Sequence, residues 1–151
     1  MDTAPFLQIH CQNTQNVSGV GYVVHPSVVH LVDSYEIPSP CLAKFRLQPR
    51  LRKKISIINW YSPTGVANES ELDAFHNELG KVMQNEKSSY KLVVGDLNTR
   101  MGTMDEKHYR IGKFGLGDRN EGGECLAALL STACLFHENA FFVKKENRRW
   151  T

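Results

Sequence analysis

Hydrophobic and polar side chains alternate through the middle of the chain, and this pattern predicts β-strands. In segment 42–48, LAKFRLQ, one face is apolar while the other is basic or polar, as in a strand with a core face and a solvent face. Segment 54–63, KISIINWYSP, follows a basic turn and predicts its hairpin partner. Comparable apolar runs predict further strands at 19–26, 30–37, 91–98 and 140–145.

Apolar residues that recur every three or four positions predict two helices. The clearer helix covers 69–86, and the second covers 120–136, where Asn120 is placed to cap the first turn. Between them, the stretch 99–117 is rich in glycine and charge and predicts irregular structure. Strands grouped as hairpins, with helices interspersed, predict a mixed α/β (α+β) fold.

The size and composition of the chain are those of one folded domain. It has 151 residues, of which 41% are hydrophobic and 23% charged, and these values argue against disorder. The net charge of +2 and the pI near 8.4 permit a phosphate-rich partner without requiring one. No run approaches the roughly 18 consecutive apolar residues of a membrane span. The opening MDTAPFLQIHCQNTQN lacks the apolar centre of a signal peptide, so we expect an intracellular protein.

The strand predicted at 91–98, KLVVGDLN, carries candidate chemistry at its end. Its apolar run predicts a strand covered on both faces, and it closes with Asp96 and Asn98 two residues apart. In an extended chain these two side chains point the same way. P-loop, EF-hand and dinucleotide-binding motifs are excluded, because residues that they require are absent. Two interpretations stay open: a functional pair, or a turn in which both side chains bond to nearby backbone groups.

Two short motifs resemble those of a known superfamily. GDLN (95–98) resembles the G-D-hydrophobic-N motif of the endonuclease/exonuclease/phosphatase, or deoxyribonuclease I-like, superfamily, and NWYSP (59–63) resembles its N-x-Y-x-P element. The chain is most similar to the endonuclease domains of non-LTR retrotransposons and their domesticated, craniofacial-development-protein-like relatives. The stretches GVGYVVHPS, ELDAFHNELGKV and YRIGKFGLGDRNEGGECLAALL carry that likeness. The fold implied is part of a four-layer α/β/β/α sandwich.

The resemblance implies a Mg²⁺-dependent site that hydrolyses phosphodiester bonds in DNA. Asp96 would orient or deprotonate the attacking water, and with Asn98 it would lie at the metal. Asn98 would also hold a phosphate oxygen through its amide, which adds no charge to repel the anion. Tyr61 would donate its phenolic hydrogen to the phosphate. Such a site offsets the charge that develops on the phosphoryl oxygens.

The superfamily also carries two elements that this sequence lacks. One is a metal-binding glutamate on an early strand, whereas residues 1–18 contain no glutamate. The other is a Ser-Asp-His triplet with the acid–base histidine, and none of the six histidines here follows Ser-Asp. We therefore expect residues 1–151 to form a single, incomplete domain without its outer strands. Alone it should have little or no nuclease activity, and its open sheet edges should favour pairing with another strand.

Basic residues supply candidate contacts to nucleic acid. Segment 44–54, KFRLQPRLRKK, contains no acid and would track phosphates, although an ordinary solvated hairpin explains it as well. Arg119 and Asn120 would lie near the mouth of the site, but capping of the following helix is the simpler explanation for Asn120. Trp60 alternates away from its neighbours and should pack inside. The predicted nucleic-acid contacts are Arg50, Arg52, Lys53, Lys54, Asn59, Arg119 and Asn120.

Three functions remain open from sequence. The first is a retroelement-type endonuclease domain, which would act in the nucleus if its substrate is DNA. The second is a non-catalytic remnant that binds nucleic acid or a protein. The third keeps the superfamily's chemistry but takes a phosphoinositide or sphingolipid headgroup, and the retroelement-like stretches around Gly115–Leu126 speak against it.

Overall fold

The computed structural model describes residues 6–10, 19–49, 53–62, 69–105 and 109–143. The chain divides into two compact units. Unit 1 comprises Met1–Pro63 and Glu86–Leu97, and unit 2 comprises Thr64–Asn85 and Asn98–Thr151. Unit 1 contains every strand of the described residues, while unit 2 contains the two long helices.

Unit 1 is built from six strands and one short helix in its described part. Two strands pair as a small antiparallel sheet, and the other four form a sheet in the order β3-β4-β5-β6. Within the larger sheet β3, β4 and β5 are antiparallel, whereas β6 runs parallel to β5. The elements are β1 (Leu7–His10), β2 (Gly21–Val24), α1 (Pro26–Val29), β3 (Val32–Ser39), β4 (Leu42–Leu47), β5 (Ile55–Trp60) and β6 (Tyr90–Val94).

The small sheet packs on one face of the large one. Phe45 of β4 forms a buried cluster with Ile9 of β1 and Val24 of β2, and its ring stacks on Tyr22 at 5.1 Å between centroids. Ala43 lies on the same face of β4 and is fully buried. The alternation in segment 42–48 therefore predicted the core face correctly, because period-two spacing is a local property of a strand.

The end strand β6 is less covered than its sequence predicted. Leu92 is 48% exposed and Val94 is 45% exposed, so the expectation of a strand buried on both faces is wrong for these side chains. The apolar cluster under the small sheet is formed by β4, β5 and residues of β3, and it does not include β6. An apolar run predicts a strand, but its cover depends on the strand's place in the sheet.

Unit 2 contains α2 (Glu69–Asn85), α3 (Glu121–Thr132) and a short 3-10 helix (Glu138–Ala140) in its described part. The helices α2 and α3 contact each other. Cys134 adopts a left-handed conformation with φ of 56°, so α3 ends before the predicted 136. The strand predicted at 140–145 is wrong for 140–143, where Phe141 N–H closes a turn onto Glu138 C=O. Residues 144 and 145 lie outside the described residues.

Two short elements were not predicted. β1 lies in a weakly patterned segment, and it pairs with β2 across a long connection. α1 begins with Pro26, and the ring of His25 caps it by accepting a hydrogen bond from Ser27 N–H at 3.2 Å. A single turn of helix is too short to give a periodic signal.

Among the described residues, two sheets and three α-helices confirm the predicted mixed α/β class. The layered sandwich that the resemblance implies is compatible with these elements. None of the helices in the described ranges has the length and apolar character needed to cross a membrane.

Candidate active site

The parallel strands β5 and β6 end side by side. Their register pairs Asn59 with Val94, and beyond the strands Ser62 N–H donates to Asp96 C=O at 2.9 Å. Tyr61, one residue earlier, is half-buried and donates its N–H to Cys41 C=O at 3.0 Å. The segment that carries the predicted phenol and the segment that carries the predicted carboxylate are therefore hydrogen-bonded neighbours. In open α/β sheets, ligands bind beyond the carboxyl ends of parallel strands such as these.

Gly95 allows the chain to pass very close to the end of β5 as it continues from β6 to Asp96. Its φ is 132°, and a Cβ atom there would lie 1.9 Å from the carbonyl oxygen of Trp60. Only glycine fits a backbone passing at this distance in this conformation. Trp60 itself is 1% exposed, which confirms that it packs inside. The glycine of the G-D motif thus has a physical role in holding the two strand ends together.

The backbone stops being extended before it reaches the acid and the amide. β6 ends at Val94, and Asn98 is left-handed with φ of 46°. The period-two argument that aligned Asp96 with Asn98 therefore does not hold beyond the strand. Both side chains are exposed, and each has a contact within the chain. Asp96 belongs to unit 1 and Asn98 begins a segment of unit 2, so their joint role stays a prediction.

Asn59, predicted to contact nucleic acid, is hydrogen-bonded to the small sheet. Its Nδ2 donates to Gly21 C=O at 3.0 Å, and its backbone N–H donates to the Tyr22 hydroxyl at 2.8 Å. That hydroxyl also lies 2.7 Å from the carbonyl oxygens of both Ala43 and Ile57. Burial raises the pKa of Tyr22 to about 12, so the phenol stays protonated and bridges the two sheets. Sequence analysis missed Tyr22, because its partners are far away along the chain.

A buried carboxylate neutralises the basic face of β4. Glu86 Oε2 lies 3.0 Å from Arg46 Nη2 and 3.6 Å from Lys44 Nζ, while its own side chain is only 1% exposed. Its other oxygen accepts from both the backbone N–H and the hydroxyl of Ser88, at 2.9 and 2.7 Å. Ser88 in turn shares a 2.7 Å hydrogen bond with the buried Ser56. The face expected to be solvated is therefore an internal ion-pair network.

The hydrogen bonds of this network fix the charge of Glu86. Burial alone would raise its pKa, but hydrogen bonds from Arg46 and Ser88 outweigh burial and lower the pKa from 4.5 to about 2. The same pairing raises the pKa of Arg46. Glu86 is thus ionised at any physiological pH, and its hydrogen bonds with Arg46 and Ser88 have a structural role.

The rest of the basic segment is also partly engaged. Lys54 Nζ lies 3.1 Å from Asp33 Oδ2, and Lys53 Nζ lies 5.6 Å from the centre of the Tyr90 ring. Arg46 and Lys44, at the start of the segment, face Glu86 as described above. These contacts favour the structural interpretation of the segment over phosphate tracking. Arg50 and Arg52 lie outside the described residues.

Arg119 and Asn120 both have structural partners in unit 2. Arg119 donates from Nε to Met101 C=O at 2.8 Å and from Nη2 to Thr103 C=O at 3.0 Å, so it holds the loop before it. Asn120 Oδ1 accepts from Gly123 N–H at 2.9 Å and from Arg100 N–H at 3.0 Å. The predicted helix cap is confirmed, whereas the role of both residues at nucleic acid stays a prediction.

Metal ligands are not assembled in the described part of the chain. Nowhere in it do three His, Cys, Asp or Glu side chains lie close enough together to hold a metal ion. Asp96 and Asn98 therefore do not complete a protein-built Mg²⁺ centre with the residues described. Magnesium stays a prediction of the resemblance.

The comparisons with known proteins identify a distant relative. No family model and no solved structure matches the chain. The chain is 25% identical over 141 residues to craniofacial development protein 2 of Bos taurus, and 24% identical over the same length to that of Tragulus javanicus. The chain is similar to craniofacial development protein 2. The match covers 93% of the chain, whereas it spans 24% of the length of each relative.

Proposed function

We propose that the chain is part of a deoxyribonuclease I-like endonuclease domain of the retroelement type, and that its β5–β6 end binds the phosphodiester backbone of DNA. The observation that carries the proposal is the hydrogen bond from Ser62 to Asp96, which holds the Y-S-P and G-D segments together. Gly95, required by the close approach to Trp60, supports it. The similarity to craniofacial development protein 2 covers both segments.

In this proposal the chain's own residues bind and orient a phosphate. Tyr61 donates a hydrogen bond from its phenol to a phosphate oxygen. Asp96 accepts a hydrogen bond from a water and orients it toward the phosphorus atom. The hydrogen bond from Ser62 N–H to Asp96 C=O holds together the backbone segments that carry Tyr61 and Asp96. Such fixed donors stabilise charge that develops on the phosphoryl oxygens.

The 151-residue chain by itself should not complete the reaction. It contains no Ser-Asp-His triplet, and its first 18 residues contain no glutamate. Within the ranges that the structure describes, no three acidic, histidine or cysteine side chains converge. Catalytic residues act as a unit, so the loss of several members together removes nearly all the rate enhancement. We therefore expect DNA binding without turnover.

The test combines duplex binding with plasmid nicking. Tyr61→Phe removes the phenolic hydroxyl and should weaken binding of a short DNA duplex by about three- to tenfold, since one hydrogen bond to a charged group is lost. The matched control Tyr35→Phe, on an exposed tyrosine of β3, should leave binding unchanged. With magnesium, the unmodified chain should not nick supercoiled plasmid. Robust nicking that Asp96→Ala abolishes would refute the expectation of inactivity, and equal duplex binding by both tyrosine variants would refute the site.

A non-catalytic remnant is the second candidate function. Its support is that Asn59, Arg46 and Arg119 are all engaged in contacts within the chain. Under this alternative, Asp96→Ala and Tyr61→Phe both leave nucleic-acid binding as it is. Binding must then be carried by another surface.

A further inference from the structure

Unit 2 exposes a group of aromatic side chains in contact with one basic side chain. Tyr109 is 60% exposed, Phe136 is 58% exposed and Phe141 is 40% exposed. The guanidinium carbon of Arg110 lies 5.2 Å from the centre of the Tyr109 ring and 4.8 Å from that of Phe136. Phe136 and Phe141 meet edge to face at 5.9 Å. These four residues are called the aromatic platform.

The backbone beneath the aromatic platform is interlocked, so the rings are presented by a fixed surface. His137 N–H donates to Arg110 C=O at 3.0 Å, and Ile111, which is fully buried, forms a parallel bridge with His137. Gly112 lies so close to Ala140 that a Cβ atom on it would fall 2.0 Å from the Ala140 oxygen. The two loops that carry the platform are therefore joined before any ligand arrives. A preorganised surface loses little entropy on binding.

A ligand that binds this surface must pack against exposed aromatic rings and also against a guanidinium. Large aromatic side chains grouped on a surface mark an interaction site, because exposing them together costs free energy. Unpaired nucleobases match this surface, since their flat faces stack on rings and on the planar guanidinium alike. A phosphate backbone complements the charge of Arg110, whereas an apolar protein surface gains nothing from it.

We propose that the aromatic platform binds single-stranded nucleic acid by stacking unpaired bases on Tyr109, Arg110 and Phe136. Binding at the aromatic platform is independent of the phosphodiester site, because it uses neither Asp96 nor Tyr61 and requires no metal. The platform is a second binding surface of the chain, and it distinguishes unpaired from paired strands. Bases in a duplex are already stacked on each other and are not available to the rings.

The test measures fluorescence anisotropy of labelled oligothymidylate of about 20 nucleotides, a length that spans a typical single-strand site, in EDTA and low salt. An abasic oligonucleotide of the same length and charge serves as the second probe. Phe136→Leu keeps an apolar side chain but removes the stacking face, and should weaken oligothymidylate binding by about tenfold, the loss of one stacked base. Its affinity for the abasic probe should not change. Arg110→Lys keeps the positive charge but removes the planar guanidinium. It should also weaken binding of oligothymidylate, while binding of the abasic probe stays unchanged.

Phe6→Leu is the matched control, since Phe6 is equally exposed in unit 1 and outside the platform. It should bind both probes like the unmodified chain, and circular dichroism checks that each variant is folded. Equal affinity of the unmodified chain for the two probes would overturn the proposal. Unmodified affinity in Phe136→Leu would overturn it too. So would an absence of oligothymidylate binding, which would leave the platform to a protein partner.

Discussion

Glu86 is the residue on which unit 1 depends most for its charge balance. Glu86→Gln keeps the shape of the side chain but leaves Arg46 and Lys44 without their buried carboxylate. We expect the free energy of unfolding to fall by about 2 to 3 kcal/mol, because the buried ion pair is broken and only Glu36, 2.9 Å from Lys44, and Asp33, 3.9 Å from Arg46, still face the two cations. Urea denaturation measures the change. Glu138→Gln, on an exposed glutamate, is the control and should stay within about 0.5 kcal/mol of the unmodified chain. Equal stability of the two variants would contradict the network.

Glu86 also makes the free energy of unfolding depend on pH, in a direction that its lowered pKa determines. The pKa of Glu86 is lowered from 4.5 to about 2, so between these values the unfolded chain binds the proton more tightly than the folded one. Its contribution to stability is therefore complete above about pH 5 and is lost as the pH falls toward 2. Urea denaturation across this range should show the gap between the unmodified chain and Glu86→Gln closing on acidification. A gap that stays constant down to pH 2 would show that Glu86 is not held ionised.

Tyr22 is the second residue whose role can be tested alone. Tyr22→Phe keeps the stacked ring on Phe45 but removes the hydroxyl shared by three backbone groups of the large sheet. The free energy of unfolding should fall by about 1 to 3 kcal/mol, since buried backbone groups lose a partner. Chemical denaturation measures it, with the exposed Tyr35→Phe as reference. If both variants unfold at the same denaturant concentration, the bridge carries no stability.

At the scale of single residues, the sequence predicts the contacts of those residues whose partners lie near them in the chain. The Asn120 cap bonds to a residue three positions on, and the packing of Trp60 follows from strand alternation. Arg46 and Glu86 are 40 positions apart, and Asn59 and Tyr22 are 37 apart. No local pattern can reveal such pairs, so the basic segment was predicted without its carboxylate. Its predicted contacts with nucleic acid stay untested.

At the scale of elements, the β5–β6 pair depends on a glycine that only the structure explains. Gly95→Ala places a Cβ atom against the Trp60 carbonyl and holds an alanine at a positive φ, where a side chain is strained. The free energy of unfolding should therefore fall by about 2 kcal/mol or more. Gly80→Ala makes the same chemical change inside α2, where the new methyl group meets only Leu129 at 3.7 Å. It should raise stability by up to about 1 kcal/mol, from helix propensity. Thermal unfolding of both variants measures the contrast. Shifts of the same sign would contradict the proposed role of Gly95.

The elements that the sequence predicted correctly have a long periodic signal. β4 and α2 each lie within one residue of the predicted ends, whereas β5 ends at Trp60, three residues before the predicted 63. The errors have specific causes: α1 is a single turn, α3 is cut short by a left-handed residue, and Phe141 turns away from the strand expected at 140–145. Element ends are decided by turn geometry and by hydrogen bonds to distant segments, which hydrophobic periodicity does not report.

At the scale of the whole molecule, the mixed α/β class followed from the order of strands and helices, and the structure bears it out. Membership of the deoxyribonuclease I-like superfamily remains a proposal, supported by motifs and by distant similarity to craniofacial development protein 2. The motifs of the candidate site are recognised in the sequence, while the roles of its residues stay a prediction. Hydrophobic patterns do not report how β5 and β6 end, and the structure adds the hydrogen bond between Ser62 and Asp96.

An NMR titration of the isotopically labelled chain with a short DNA duplex shows whether the β5–β6 end binds a phosphate backbone. The amide signals of Tyr61, Ser62 and Asp96 should shift together as duplex is added, and Tyr61→Phe should weaken the binding. If these three signals stay fixed while others move, DNA binds elsewhere and the β5–β6 end is not a phosphate site.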